Sequence, residues 1–300
     1  MNPILALIIA NVIWGAAAPI FKFSLTNIPP FTLAFCRFFF AGLLFLPFVY
    51  RFNFRSISRF DWAEIIVGTL FGITLNISAF FIGLQKSASI NAPIIASGGP
   101  LFLFLLSVVF LREKVHMRVL KGMFVSLLGV LIIIFSPIFF DGKGADTAAF
   151  EGNLLFVLAT VGAIIHPLIM RNSLRKVGPY AITFISFLFA SLTFAPGMYV
   201  ELQHWSFSQL NFAGGFGIVF GVIFSSAIAY YLYYYGMAKI NMQELGIFTY
   251  VDPVVAVLIA IPLLHEYPNL YFFLGSLLVF AGIYVSEKRI HYHPFHKLIK

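Results

Sequence analysis

A chain of 300 residues that is 61% hydrophobic and only 10% charged is not an ordinary soluble domain, because those carry about 25% charged residues. A mean hydropathy of +0.96 leaves no room for a separate soluble domain, and the longest polar stretch is the loop at 141–151. The net charge of +8 sits on basic residues between apolar runs, where it orients membrane spans rather than binding nucleic acid; the single cysteine, Cys36, rules out an intrachain disulfide.

A helix needs about 20 apolar residues to cross the hydrocarbon core. Ten segments meet that length: 3–24, 31–50, 62–84, 89–111, 118–137, 152–170, 179–199, 212–236, 243–263 and 268–286. The first resembles a signal peptide with Ala16-Ala17-Ala18 as its cleavage site. No basic residue precedes it, however, the run is long, and Pro19 would follow the cut, so a retained helix is expected.

In chain order, the first helix carries Trp14 beside the small residues Gly15 to Ala18. An indole there faces a space, and its N–H needs a partner when buried. The second helix holds Arg37, roughly 10 Å below the outer surface at ~1.5 Å per residue, which reads as a structural anchor. Helix three carries Gly68, Gly72 and the polar Asn76; helix four carries Asn91 and Pro100 and ends at Glu113; helix five carries Gly122 and Gly129 on one face. Helix six has Glu151-Gly152-Asn153 at its start and His166 beside Pro167. Helix eight has Gly217 and Gly221, then Tyr230, Tyr231 and Tyr233 to Tyr235, and the last three read as an interfacial belt. Helix nine holds Glu244, Tyr250, Asp252 and Pro253 and ends at Glu266, and helix ten repeats the glycine spacing at Gly275 and Gly282. The glycines let helix backbones approach closely.

The second half repeats the first at an offset of 153 residues: Gly68 with Gly221, Lys86 with Lys239, Pro100 with Pro253, Glu113 with Glu266, Gly122 with Gly275, Gly129 with Gly282. Five spans per copy is an odd number, so the second copy is inverted relative to the first, the architecture of secondary transporters. With the N-terminus inside, 15 of the 19 Lys and Arg fall in inner joins and only Lys22, Lys86 and Lys143 in outer ones. That bias places both termini in the cytoplasm.

Taken in order and in duplicate, Trp14-Gly15, Cys36-Arg37-Phe38, Pro100 with Glu113, Gly122 with Gly129, Glu151-Gly152-Asn153, Pro253 with Glu266, and Gly275 with Gly282 resemble the EamA family of the drug/metabolite transporter superfamily over nearly all 300 residues. The resemblance implies ten helices, a central substrate cavity and export of small metabolites such as amino acids. Asp252 before Pro253 and the tyrosine cluster depart from the family pattern.

The expected fold is therefore an all-α membrane protein of ten transmembrane helices in two inverted five-helix repeats, 1–137 and 152–286, with a cytoplasmic tail at 287–300. The expected function is secondary active export of a small uncharged or zwitterionic solute across the cytoplasmic membrane by alternating access. Charge in hydrocarbon costs about 2.5–3.5 kcal/mol per residue, so intramembrane polar groups lead the candidates. Trp14, Asn76, Asn91, His166, Tyr230, Tyr250 and Asp252 are the candidate solute contacts, Asp252 and Glu244 the candidates for a coupling proton, and Pro100 and Pro253 the matched helix kinks at the midplane. Glu113 and Glu266, on opposite sides, each face an unfavourable helix dipole; Arg112 and Lys114 would compensate the first and His265 the second. A channel and a membrane-embedded enzyme are the rival classes. The chain has no HExxH and no GxSxG, and His291, His293 and His296 form only a weak metal-like cluster in the tail. The expected partners are a small-molecule solute, the lipid bilayer and a coupling proton, with no cofactor.

Overall fold

A computed structural model describes residues 1–99, 117–139, 145–240 and 248–287. Pro100, Glu113 and Glu244 lie outside these residues. The described residues form helices and connecting turns, with no strand among them.

Helix α1 (Pro3–Ser24) starts with the Asn2 side chain accepting the Ile4 N–H and with proline in its first turn, which together satisfy an orphan donor and remove another. α2 is Pro30–Val49. α3 (Arg59–Lys86) is capped by Ser58, whose hydroxyl accepts the Asp61 N–H. Then come the described part of α4, Asn91–Ser97, and α5, Met117–Phe139. α6 (Thr147–Val177) is capped by Asp146, and Arg175 and Lys176 lie in its last turn, the charge order the helix dipole favours. It is longer than the apolar run at 152–170 because the polar segments on both sides of that run are also helical. Gly178, at φ +88 and ψ 158, turns α6 directly into α7 (Pro179–Glu201), in a conformation essentially reserved for glycine. α8 is Phe212–Met237. α9 (Asp252–Leu264) follows a 3-10 turn at Thr249–Val251 and leaves through His265 in the left-handed region, φ 56. α10 is Leu270–Glu287.

Seven of these helices are long and apolar enough to cross a membrane, and the described parts of α9 and α10 are shorter apolar helices. Their outer faces expose Phe48, Leu192, Leu258 and Leu277, apolar surface suited to acyl chains. The sequence places Pro253 as a kink in the middle of a helix at 243–263, whose first part lies outside the described residues; within them a 3-10 turn at Thr249–Val251 runs directly into α9, with Pro253 at its second position.

Two helices contain π-helical stretches: Leu70–Leu75 in α3 and Phe220–Ile228 in α8. The 153-residue offset carries the first into the second. A π turn widens the helix and frees carbonyls for other partners, which matters for the site below.

The glycines set the packing. α5 lies along α10, and a Cβ on Gly129 would stand 2.8 Å from the Val279 nitrogen, while one on Gly282 would collide with the Gly122 carbonyl. α2 lies along α7, α3 along α6, and α1 along both α8 and α9. Polar side chains gather at the two ends. The C-terminal end of α1 brings Lys22 to Glu266, near the Lys86–Glu151 pair at 2.5 Å. At the N-terminal end of α3, Lys176 meets Asp61 at 2.9 Å and Glu64 accepts the Ser173 N–H at 3.1 Å. Residues 61 and 86 bracket a single helix about 37 Å long at ~1.5 Å per residue, so these clusters lie on opposite ends of the bundle.

Candidate functional site

A cavity of about 200 Å³ lies between α1, α3, α4, α6, α8 and the start of α9. The two π-helical stretches build two of its walls in matching ways. In α8, the Ser225 carbonyl accepts the Trp14 indole N–H at 3.1 Å. In α3, the Gly68 carbonyl, just ahead of the π stretch, lies 2.8 Å from His166 Nδ1. A carbonyl only accepts, so Nδ1 carries the proton, and in the neutral ring Nε2 then accepts the Tyr234 hydroxyl at 3.0 Å. Each repeat's first helix thus sends a ring N–H to a carbonyl in or beside the π stretch of the other repeat. Gly72 makes the second contact possible, because a Cβ there would overlap the His166 ring.

Trp14 is edge-on to Tyr230 with centroids 5.1 Å apart and tilted over Tyr233 at 5.0 Å, separations typical of favourable aromatic pairs. The neighbouring Gly15 lets α1 touch the backbone of α9: a Cβ there would stand 2.8 Å from the Asp252 carbonyl oxygen. Trp14 and Asp252 both line the cavity, and Asp252 Oδ1 is buried with no hydrogen-bond partner among the described residues. Arg37 also borders the cavity but is only 1% exposed. Its Nε donates to the Ser226 hydroxyl and its Nη2 to the Ser225 hydroxyl, both at 3.0 Å. Its guanidinium lies 4.7 Å from the Phe21 ring and 4.6 Å from the Phe38 ring, within cation–π range. It makes no ion pair with Asp252 among the described residues. Arg37 thus ties α2 to the π stretch of α8, in keeping with an anchor.

Of the residues singled out in the sequence, Trp14, Asn76, His166, Tyr230 and Asp252 border this cavity. Asn76 Nδ2 donates to the Ala159 carbonyl at 2.7 Å and so ties α3 to α6. Asn91 lies elsewhere. It lines a second cavity of about 280 Å³ with Lys22, Lys86 and Ser87, and its Nδ2 donates to Asn153 Oδ1 at 3.1 Å. Tyr250 is absent from the central wall and meets Phe280 of α10 edge-on at 6.4 Å. The tyrosine belt needs correction. Tyr233 borders the cavity and Tyr234 is fully buried on His166, so only Tyr235 of the three serves the rim, where its hydroxyl donates to the Met1 carbonyl at 2.8 Å. Tyr233 lies three residues from Tyr230 and shares its face, and that i,i+3 spacing is the signal in the sequence that marks it as a wall residue.

Glu266 is compensated by Lys22 rather than by its neighbour His265. Lys22 Nζ stands 2.7 Å from Oε1 and also donates to the Ser87 carbonyl at 2.7 Å. Oε2 accepts the Ser89 N–H at 2.8 Å and the Ser89 hydroxyl at 2.6 Å. This half-buried cluster joins the ends of α1 and α9 to the link between α3 and α4.

The chain matches the EamA-like transporter family over residues 1–135 and again over 150–287. It is 29% identical over 290 residues to the uncharacterized transporter YetK of Bacillus subtilis, covering 95% of this chain and 87% of the relative. It is 27% identical over 276 residues to an uncharacterized transporter of Archaeoglobus fulgidus, covering 92% and 95%. A crystal structure of 19% identity superposes with a TM-score of 0.65 over 94% of this chain and 96% of the other, a likeness of fold. Two family matches in one chain, apolar helices of spanning length and relatives named as transporters agree: this is a multi-pass membrane protein, and the chain belongs to the EamA-like transporter family.

Proposed function

We propose that the protein is a secondary active transporter that exports a small zwitterionic or uncharged solute across the cytoplasmic membrane by alternating access. The observation that carries the reading is the central cavity, walled by helices from both repeats and bordered by a carboxylate oxygen without a partner among the described residues. At about 200 Å³ it is smaller than the roughly 300–1,000 Å³ of drug-sized sites, which favours a metabolite. Saturable counterflow of labelled solutes in proteoliposomes tests this; flux without counterflow would indicate a channel, and product formation an enzyme. In this reading Asp252 is the coupling residue, and Asp252→Asn is expected to abolish accumulation driven by a pH gradient. Accumulation at the normal rate in that variant would remove Asp252 from the coupling step.

The ten-helix inverted repeat belongs to the same proposal. Support comes from the exchanged packing of α1 on α8 and α3 on α6, the offset-related π stretches, and the matched ring-to-carbonyl bonds. The joins assigned to one side of the membrane also meet each other: Lys22 with Glu266 and Lys86 with Glu151 at one end, Asp61 with Lys176 at the other. With basic residues inside, the Lys22 end faces outward and both termini face the cytoplasm. A periplasm-active reporter is expected to work when fused after Lys143 and to be silent after Lys300. The reverse result would overturn the orientation.

A further inference from the structure

The charge presented by the central cavity points to the chemistry of its solute. Besides the tyrosines, three side chains that can carry charge near neutral pH border it, Arg37, His166 and Asp252, with different commitments. Arg37 is sealed, with its guanidinium held by two serine hydroxyls and two phenyl faces. His166 has both ring nitrogens engaged, one by the Gly68 carbonyl and one by the Tyr234 hydroxyl. Asp252 alone of the three keeps a buried oxygen without a partner, and no lysine or arginine stands within ion-pair distance of it among the described residues. A buried carboxylate left in that condition is costly, and a positively charged, hydrogen-bonding partner offsets the cost.

The surrounding wall favours the same partner. Gly15 packs on the Asp252 backbone, Trp14 and Asp252 line the same cavity, and Tyr230 and Tyr233 pack against the indole. The Trp14 N–H is committed to Ser225, so the indole meets a solute as an aromatic surface rather than as a hydrogen-bond donor. A carboxylate, a tryptophan and two tyrosines lining one cavity are the combination that holds an ammonium group, by charge, hydrogen bonding and cation–π attraction together.

We infer that the central cavity binds its solute through an ammonium group seated between Asp252 and the Trp14–Tyr233 wall, with the solute's apolar part toward Phe80 and Phe156. This rests on the central cavity being the solute site and narrows the solute to an amine-bearing one, which includes zwitterions but not uncharged molecules.

The test is binding by the full chain in detergent, read by fluorescence of Trp14 after Trp62→Phe and Trp205→Phe leave it as the single reporter. The probes are 2-phenylethylammonium, its N-trimethyl derivative, the neutral 2-phenylethanol and the anionic 3-phenylpropionate. Both cations are expected to bind at least about ten-fold more tightly than the alcohol or the acid, a difference of about 1.4 kcal/mol. Asp252→Asn should erase that preference and Asp252→Glu should retain part of it. If Asp252→Asn does not fold, Tyr233→Leu serves instead and should weaken the cations several-fold while leaving the acid unchanged. Equal binding of all four probes, no binding of either cation, or a full cation preference in a folded Asp252→Asn protein would overturn the inference. Cation binding without counterflow would preserve this site and refute the transporter reading; counterflow without cation preference would do the reverse.

Discussion

Gly129→Val is expected to destabilise the bundle severely, by prising α5 from α10. At position 129 even a Cβ would overlap the Gly275 carbonyl oxygen and stand 2.8 Å from the Val279 nitrogen and 2.9 Å from Leu278 Cβ. The first two obstacles are backbone, which has no rotamer to move into. The far side of the same seam is equally tight, since a Cβ on Gly282 would meet the Gly122 carbonyl and stand 2.5 Å from the Ser126 nitrogen. The seam also carries the Ser126 hydroxyl bond to the Val279 carbonyl at 3.0 Å. Relief therefore requires α5 and α10 to separate, which forfeits close packing and that hydrogen bond together. Overpacking costs about 1–3 kcal/mol in general, and opposition from backbone places this case at or above ~3 kcal/mol. The measurement is the unfolding temperature and monodisperse yield in detergent. Gly215→Ala is the control, because nothing lies within 4 Å of its added Cβ, and a change within about 0.5 kcal/mol is expected. A Gly129→Val protein that melts with the wild type would show that α5 and α10 do not depend on this contact.

Glu266→Gln is expected to open the central cavity to the side on which Lys86 lies. Glu266 holds Lys22 on one oxygen and the Ser89 N–H and hydroxyl on the other, and Lys22 in turn donates to the Ser87 carbonyl. These bonds draw α1 and α9, which pack on each other, onto the α3–α4 link. All four helices border the cavity, so loosening the cluster is expected to loosen the cavity wall on that side. Glutamine keeps the length of the side chain but removes the charge. A hydrogen bond to a charged group contributes about 1.5–3 kcal/mol, so losing one shifts a closed-to-open equilibrium on the order of ten-fold. The readout is labelling of Ala18→Cys, a residue of the cavity wall, by an impermeant maleimide in a Cys36→Ala background. Labelling from the Lys86 side should accelerate on that order in Glu266→Gln and by less in Ser89→Ala. Lys86→Cys reports independently which side that is. Unchanged labelling in a folded Glu266→Gln protein would show that this cluster is not a gate.

Much of the fold is legible in the sequence because lipid imposes few solutions. A backbone in hydrocarbon must satisfy its own hydrogen bonds, so apolar length alone locates α1, α2, α3, α5, α6, α7 and α8, with the polar ends of α6 the largest addition. The glycine spacing at 122, 129, 275 and 282 likewise marks the α5–α10 seam, since only small residues permit backbone contact. Among the site residues, Trp14 is legible because a bulky indole amid Gly15 to Ala18 must face open space, and Asp252 because a carboxylate within an apolar run demands a reason.

What the sequence by itself determined is the seven long apolar helices, the repeat of the family match along the chain and the residues too polar to lie idle in a membrane. These follow from local composition and from pairing at a fixed offset, both readable along one dimension. The tertiary structure alone decided which polar residues meet. It sent Asn91 to the Asn153 network instead of the central wall, joined Glu266 to Lys22 rather than to His265, and turned Tyr233 and Tyr234 inward while Tyr235 stayed at the rim. It also gave Arg37 to two serines, leaving Asp252 without a counter-charge among the described residues. The reason is that these partners are brought together from distant parts of the chain: Asn91 and Asn153, Glu266 and Lys22, and Arg37 and Ser225 are each at least 62 residues apart, and a helical period read along one chain segment carries no information about which faces of different helices meet.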